Sequence, residues 1–298
     1  MATVVANESN RLLRPPESYW QTAWRRFRAD RVSMIASGVF LFVCLVALCA
    51  PLVSRYVTRY DPNRVVLDDN YQRPGARHWF GTDEYGRDYF TRTVHAGRVS
   101  LTIAFAVTVI NLSIGVLLGL AGGFYGGRFD DLLQNMIFVM ITIPRLYLLI
   151  ILGAFIKWDM WSLAFFLGIT SWMGASRQVR GLVLSVKQRD YVLAARCLGA
   201  TNWRIMWRHV LPNVLSVVLV IMGSDIAGAI FIESALSFLG FGIAPPTATW
   251  GNMLTNALAY TFRNPWLVIF PGLMIAITTL CVLLVADGLR DALDPRLR

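Results

Sequence analysis

Six long apolar runs constrain what this chain can fold into, lying near residues 32–53, 99–123, 132–156, 158–175, 210–235 and 264–286. Each approaches the ~20 residues that a helix needs to cross a hydrocarbon layer ~30 Å thick. Such blocks predict an all-α, polytopic membrane protein with six transmembrane helices. Charged residues are only 15% of the chain and mean hydropathy is +0.52, whereas a soluble chain carries about a quarter charged residues. The third and fourth runs are separated only by Lys157 to Asp159, which predicts a tight hairpin. The first run begins after some thirty residues, is long for a signal-peptide core and has no A-x-A site behind it, so it is expected to be an anchor. The expected organisation is an arm at 1–31 and one six-span domain at 32–298, with an external loop about 54–98 and a long loop about 176–209.

Charge predicts the orientation. The net charge of +10 is almost wholly arginine, since Lys157 and Lys187 are the only lysines. A basic balance can signal nucleic acid, but cytoplasmic enrichment of cations in membrane proteins accounts for much of it, and no nucleic-acid partner is expected. The arm carries Arg11, Arg14, Arg25, Arg26, Arg28 and Arg31; the 176–209 loop carries Arg177, Arg180, Lys187, Arg189, Arg196, Arg204 and Arg208. With six spans these segments share a side with the 124–131 turn and the C-terminus, and that side is expected to be the cytoplasm. The 54–98 loop has eight arginines on the other side, together with six acids (Asp61, Asp68, Asp69, Asp83, Glu84, Asp88), and long loops count less in this rule. Trp158, Trp161 and Trp266 fall at predicted outer ends, where interface anchors belong.

Several chemistries lack their residues. Cys44, Cys49 and Cys281 lie in apolar runs and Cys197 in the basic segment, with no metal-ligand spacing, so all read as small hydrophobes. His78, His95 and His209 lie outside the deep apolar runs, which predicts no metal site and no buried histidine base. Neither lysine follows a glycine, so a phosphate-binding Gly-Lys-Ser/Thr loop is missing, as are G-x-S-x-G and H-E-x-x-H. The chain is therefore expected to hold no cofactor and to catalyse no hydrolysis.

Ionisable residues inside spans are costly and demand a role. They are Arg145, Asp225, Glu233 and Asp287. Arg145 follows Pro144, where a helix can kink. Asp225 and Glu233, eight residues apart, sit about 80° apart around a helix. Two readings stay open: Asp225, Arg145 and Glu233 line a translocation path, or they are neutralised internally, Arg145 by Asp225, with Glu233 and Asp287 at span ends. Gly115 with Gly119, and Ser224 with Gly228, give small-residue pairs suited to close helix packing, static or sliding.

The segment from Asp190 to Asn213, DYVLAARCLGATNWRIMWRHVLPN, is a basic helix-forming insertion between two spans. Asp190 suits an N-cap for a helix over 191–198 and Gly199 its C′ position. Thr201 or Asn202 suits the cap of a second helix running toward Pro212, which tolerates the first turn of the fifth span. Trp203, Trp207 and the arginines fit a helix lying on lipid headgroups; Ala194 and Ala195 equally permit close approach by a soluble partner.

The pattern resembles the cytoplasmic loop of ABC-importer permeases, E-A-A-x3-G-x9-I-x-L-P. Ala194, Ala195, Gly199, Leu211 and Pro212 match at the right spacing, while Leu193 stands in place of the glutamate and His209 in place of the isoleucine. FGTDEYGRDYFTRTVHAGRVSL (80–101), AGGFYGGRFD (121–130), ESALSFLGFG (233–242), Pro245 and Pro246 with Trp250 and Gly251, and the ending ADGLRDALDPRLR are similar to blocks of the dipeptide/oligopeptide/nickel branch, C-type subunit. The resemblance implies a type I ABC importer permease fold and a non-catalytic subunit in a prokaryotic cell membrane. It also implies a homologous second permease, two ATP-binding cassette subunits carrying ATP and Mg, and an external binding protein. The matched loop residues would form the coupling helix docked on an ATPase. Glu233, lying in a shared block, would serve common architecture. The alternative is a stand-alone secondary transporter or channel, although the chain lacks the internal repeat usual there; an embedded hydrolase is more distant.

Overall fold

The computed structural model describes residues 19–293. Among them the chain is helical and without strands: α1 (Tyr19–Ala29), α2 (Arg31–Leu48), α3 (Tyr89–Tyr125), α4 (Gly127–Thr142), α5 (Arg145–Phe155), α6 (Met160–Ile169), α7 (Trp172–Val186), α8 (Asp190–Cys197), α9 (Asn202–Phe238), α10 (Trp250–Ala257) and α11 (Trp266–Leu293). Arg11 and Arg14 of the arm, and the final residues of the C-terminal block, lie outside the described residues.

Four helices, α2, α3, α9 and α11, are long and apolar enough to cross a membrane, and a fifth span forms if α4 and α5 count as one. The six-span expectation therefore needs refinement at its middle. The third run bends by 71° between α4 and α5. Ile143 precedes Pro144, and the proline ring drives it out of the helical region, to φ −82° and ψ 118°. The fourth run, expected as one helix over 158–175, is the ten-residue α6 followed by a turn and then α7. The turn is made by side chains competing with the backbone ladder. Thr170 Oγ1 donates to Phe166 O at 2.7 Å, and Ser171 Oγ donates to Leu167 O at 2.5 Å.

Helix ends also run beyond the apolar signal. α3 begins ten residues before the expected 99, because Asp88 caps a polar first stretch: its Oδ1 accepts from Thr91 N at 2.8 Å. α9 runs unbroken from the basic loop into the fifth span. Pro212 cannot donate to the carbonyl four residues back, and the helix widens to a π register over Met206–Val210 just before it. Asn213 Nδ2 satisfies His209 O at 2.8 Å.

Long-range contacts set which segments share a side. At one end, Ser33 Oγ donates to Leu284 O at 3.0 Å, joining the first and last spans. Lys187 Nζ donates to Gly123 O at 2.7 Å, and Arg180 pairs with Asp130 through Nε to Oδ1 at 2.6 Å. At the other end, Tyr89 Oη donates to Leu267 O at 2.7 Å, and Phe80 stacks on Phe270 with ring centroids 3.6 Å apart. α1, the 124–131 turn and the basic loop therefore lie opposite the 54–88 segment and the 240–266 connection. Trp161 is exposed, but Trp158 and Trp266 are buried inside the chain. The expectation of three lipid-facing anchors is corrected accordingly; apolar packing within the bundle holds those two indoles.

Small residues set the central packing. A Cβ on Gly119 would lie 2.5 Å from Ser176 O and 2.9 Å from Val179 Cβ; one on Gly115 would lie 2.8 Å from Ala175 Cβ. The Gly115/Gly119 stripe is thus the seat of α7 on α3. Gly228 has nothing within 4 Å of its Cβ position, so the Ser224/Gly228 pair makes no such seat within this chain. Gly119→Val is expected to destabilise the purified protein by about 1–3 kcal/mol through overpacking, whereas Gly228→Ala should be near neutral; detergent thermal-denaturation midpoints compare the two.

Candidate functional site

Three arrangements combine chemistry-bearing residues. The first is the basic loop. α8 spans Asp190–Cys197, so Arg189, with an extended backbone, occupies the N-cap, and Asp190 is the first helical residue rather than the cap. Its charge still favours the positive helix start. At the other end Gly199 has φ +81°. Gly199 N donates to Arg196 O at 3.0 Å and Ala200 N to Ala195 O at 3.1 Å, the paired bonds of a Schellman ending. Thr201 Oγ1 caps α9, accepting from Arg204 N at 3.4 Å.

Val192 points inward to a buried cluster with Val183, Val186, Ile205, Met206 and Val210, against which Ala200 and Leu211 pack. Ala194 and Gly199 are exposed and Ala195 is half-buried. Around them Leu193, Leu198, Trp203 and Trp207 are also exposed, Leu198 at 88%. Ala194 and Ala195 thus lie on α8 and Gly199 just past its end, while Leu211 and Pro212 lie in the next helix across the same small core. An apolar platform stands on that core, and Lys187 and Arg180 tie its supporting helix to the second and third spans.

The second arrangement is a cleft of about 460 Å³ walled by α7, α9 and α11, with Gln178, Ser216, Ser224, Asp225 and Arg290 among its lining. Asp225 Oδ2 accepts from Asn111 Nδ2 at 2.7 Å. Arg145 and Asp225 form no ion pair: the guanidinium Nη2 donates to Leu167 O at 2.9 Å. The expected Arg145–Asp225 neutralisation is not seen, because the break after α6 leaves a carbonyl that the arginine serves instead. Asn111, a lone amide within an apolar run, is the sequence signal for this pair.

The third arrangement lies at the opposite end. Glu233 is 0% exposed and lies within the last two turns of α9, near that helix's end as the second of the two readings has it. Ser237 Oγ donates to its Oε1 at 2.8 Å and Ser100 Oγ to its Oε2 at 3.0 Å. Ser100 Oγ accepts from Trp250 N at 3.2 Å, and Trp250 Nε1 donates to Thr93 O at 3.1 Å. Three sequence blocks, 80–101, 233–242 and 245–251, converge on this carboxylate. Asp287 is exposed near the end of α11.

The 54–88 segment is organised by its acids. Asp83 Oδ2 accepts from Arg87 Nε at 2.7 Å and lies 3.4 Å from Arg92 Nε. Asp69 pairs with Arg77 at 3.1 Å. Gly86 has φ +69°, and a Cβ there would lie 1.8 Å from Val66 O, so only glycine fits. His78 is buried, with Nδ1 2.8 Å from Asp88 Oδ2. The expectation of no buried histidine is corrected: His78 braces the cap of α3, far from any apolar run. Among the described residues no His/Cys/Asp/Glu group is arranged to hold a metal ion.

Sequence relatives cover the whole chain. The family described as "Binding-protein-dependent transport system inner membrane component" matches residues 112–298, and the "N-terminal TM domain of oligopeptide transport permease C" matches residues 18–74. The oligopeptide transport system permease protein OppC of Bacillus subtilis (strain 168) is 37% identical over 297 residues, covering 100% of this chain and 96% of its own. The dipeptide transport system permease protein DppC of the same strain is 38% identical over 295 residues, covering 98% and 90%. The dipeptide permease DppC of Lactococcus lactis subsp. cremoris (strain MG1363) is 31% identical over 328 residues, covering 98% and 94%.

Proposed function

The chain belongs to the inner-membrane components of binding-protein-dependent transport systems, as a non-catalytic, multi-pass permease subunit of an ABC importer, and we propose that it forms half of a translocation path for peptides. The relatives' names supply the substrate class: oligopeptides for one, dipeptides for the others. The other half is a homologous second permease. Two ATP-binding cassette subunits, holding ATP and Mg, drive the pair, and an external binding protein delivers the solute. The basic side faces the cytoplasm of a prokaryotic cell.

The observation that carries this reading is the exposed α8 platform. A segment used only for packing would hide Leu198 and Trp203, which flank the turn after α8, but both are exposed beside a buried apolar cluster. Ala194, Ala195 and Gly199, with Leu211 and Pro212 behind them, form the coupling surface, and its small residues let a partner approach closely. A push on α8 passes through Val192 into α7 and α9, the walls of the cleft. Asp225 and Arg145 belong to the path wall. Glu233, fully bonded inside the chain, holds the outer ends of α3, α9 and α10 together rather than meeting solute.

Reconstitution with the ATPase pair, second permease and binding protein tests the proposal: uptake of a labelled peptide should require ATP on the α8 side, and uptake without nucleotide would overturn it. Orientation is tested separately. Single cysteines at Asn70 and Gln188, both exposed, on a cysteine-free background should react with an impermeant reagent from opposite sides, Asn70 in intact cells and Gln188 only after permeabilisation. Reaction of both in intact cells would contradict the topology.

A further inference from the structure

The polarity of the α7/α9/α11 cleft carries an inference that rests on the peptide reading and deepens it. α9 and α11 run antiparallel and touch where a Cβ on Gly223 would lie 2.5 Å from Ala286 Cβ. From that crossing the chain rises two residues to Asp225 in one direction and four to Arg290 in the other. At 1.5 Å per residue, the backbone positions of the acid and the base are offset by about 9 Å along the helix axes. Asp225 lies deep, and Arg290 sits near the basic-side mouth. Gln178, Ser216 and Ser224 contribute neutral polar groups to the lining.

The acid is held in place. Asn111 is buried and donates to Asp225 Oδ2, which fixes the carboxylate and leaves its other oxygen for a cleft ligand. Arg145 makes no hydrogen bond to that oxygen; its Nη2 donates to Leu167 O. Among the described residues that line the cleft there is one acid and one base, and the offset of about 9 Å between their backbone positions is on the scale of an extended chain of about three residues, at roughly 3.3–3.6 Å per residue.

We propose that the cleft reads a short peptide as a zwitterion, with its terminal ammonium on Asp225 and its terminal carboxylate on Arg290. The carboxylate end therefore faces the cytoplasmic mouth and leaves first. Asp225 acts as the specificity-determining residue for a free amino terminus, and Arg290 for a free carboxyl terminus.

The test uses the reconstituted complete importer with saturating loaded binding protein. Initial uptake rates are compared for a tripeptide, its N-acetyl form and its C-terminal amide. The same binding protein serves every variant, so its own preference cancels between variants. Asp225→Asn should cut the free-to-acetyl rate ratio by about tenfold or more, since an ammonium loses its charge-assisted partner, and should leave the free-to-amide ratio unchanged. Asp225→Glu should restore much of the first ratio. Arg290→Gln should lower the free-to-amide ratio alone, which keeps the proposal exposed if the Asp225 variants assemble poorly. Equal slowing of all three peptides by these variants would mark both residues as structural and overturn the inference while the peptide reading stands. Failure of the wild-type importer to take up any tripeptide with ATP would remove the peptide reading and this inference together.

Discussion

Gly199→Arg is expected to reach the membrane at wild-type abundance, yet to lose the ATP-binding subunits on purification and more than about 99% of uptake. Gly199 sits at φ +81°, where a Cβ costs roughly 1–2 kcal/mol. That cost alone does not unfold the chain: the position is exposed, and nothing lies within 4 Å of where the Cβ would stand. The damage falls on the docked partner, which must accept a further long cation, beside exposed Arg196, where Ala194, Ala195 and Gly199 allow close approach. Gly199→Asn separates the two effects, because asparagine tolerates the left-handed conformation; it should retain most assembly. Substitution of Gln188, before the helix begins, should be milder still. Quantitative immunoblots of membranes, co-purified ATPase and peptide uptake make the comparison. Wild-type ATPase binding and uptake by Gly199→Arg would mean that α8 does not couple.

Glu233→Ala should produce the largest loss of stability. It removes the acceptor shared by Ser100 and Ser237, leaving buried hydroxyls unpaired at about 1–3 kcal/mol each, and it opens a cavity beside Trp250. A combined loss of about 3 kcal/mol corresponds to a fall of roughly 6–12 °C in the thermal midpoint, at about 2–4 °C per kcal/mol. Glu233→Gln should fall less, since the amide retains one acceptor. Uptake per assembled complex should stay near wild type in both, because this carboxylate does not reach the solute. A variant of normal midpoint with altered peptide selectivity would return Glu233 to the path.

The first, second, fifth and sixth spans were legible because burial of a long apolar run in lipid leaves a strong signal in composition. The breaks in the third and fourth were not. Pro144 announced a kink, but the 71° bend and the turn at Thr170 and Ser171 depend on which carbonyls are left for a hydroxyl or for Arg145. α8 was readable within a residue, since Gly199 marks the end of a helix by its conformational freedom. Its N-cap was misplaced by one because Arg189 offers only backbone there. The glycine stripe at 115 and 119 was visible as a contact surface, but its partner, α7, was not.

Tertiary pairing was the least legible layer. Asn111 and Asp225 are far apart in sequence and meet only when α3 packs on α9; no local pattern joins them. His78 lies outside the apolar runs, yet the 54–88 segment buries it, with its Nδ1 against Asp88. The matched blocks at 80–101, 233–242 and 245–251 read as separate motifs, and only the fold shows that one carboxylate, Glu233, ties them together. Motifs named the family; the geometry shows which of their residues are buried within the chain and which are exposed.

The central claim is that this chain passes ATP-driven motion from a docked subunit through α8 to the cleft. Photo-cross-linking from position 198 in the assembled importer tests it most directly, because Leu198 projects from the end of α8 and is 88% exposed. A photoreactive residue there should cross-link to an ATP-binding subunit with a yield that changes when ATP is trapped, while one at Leu67, exposed on the opposite face, should give none of that product. Cross-links from position 198 to lipid alone, with uptake intact, would contradict the account.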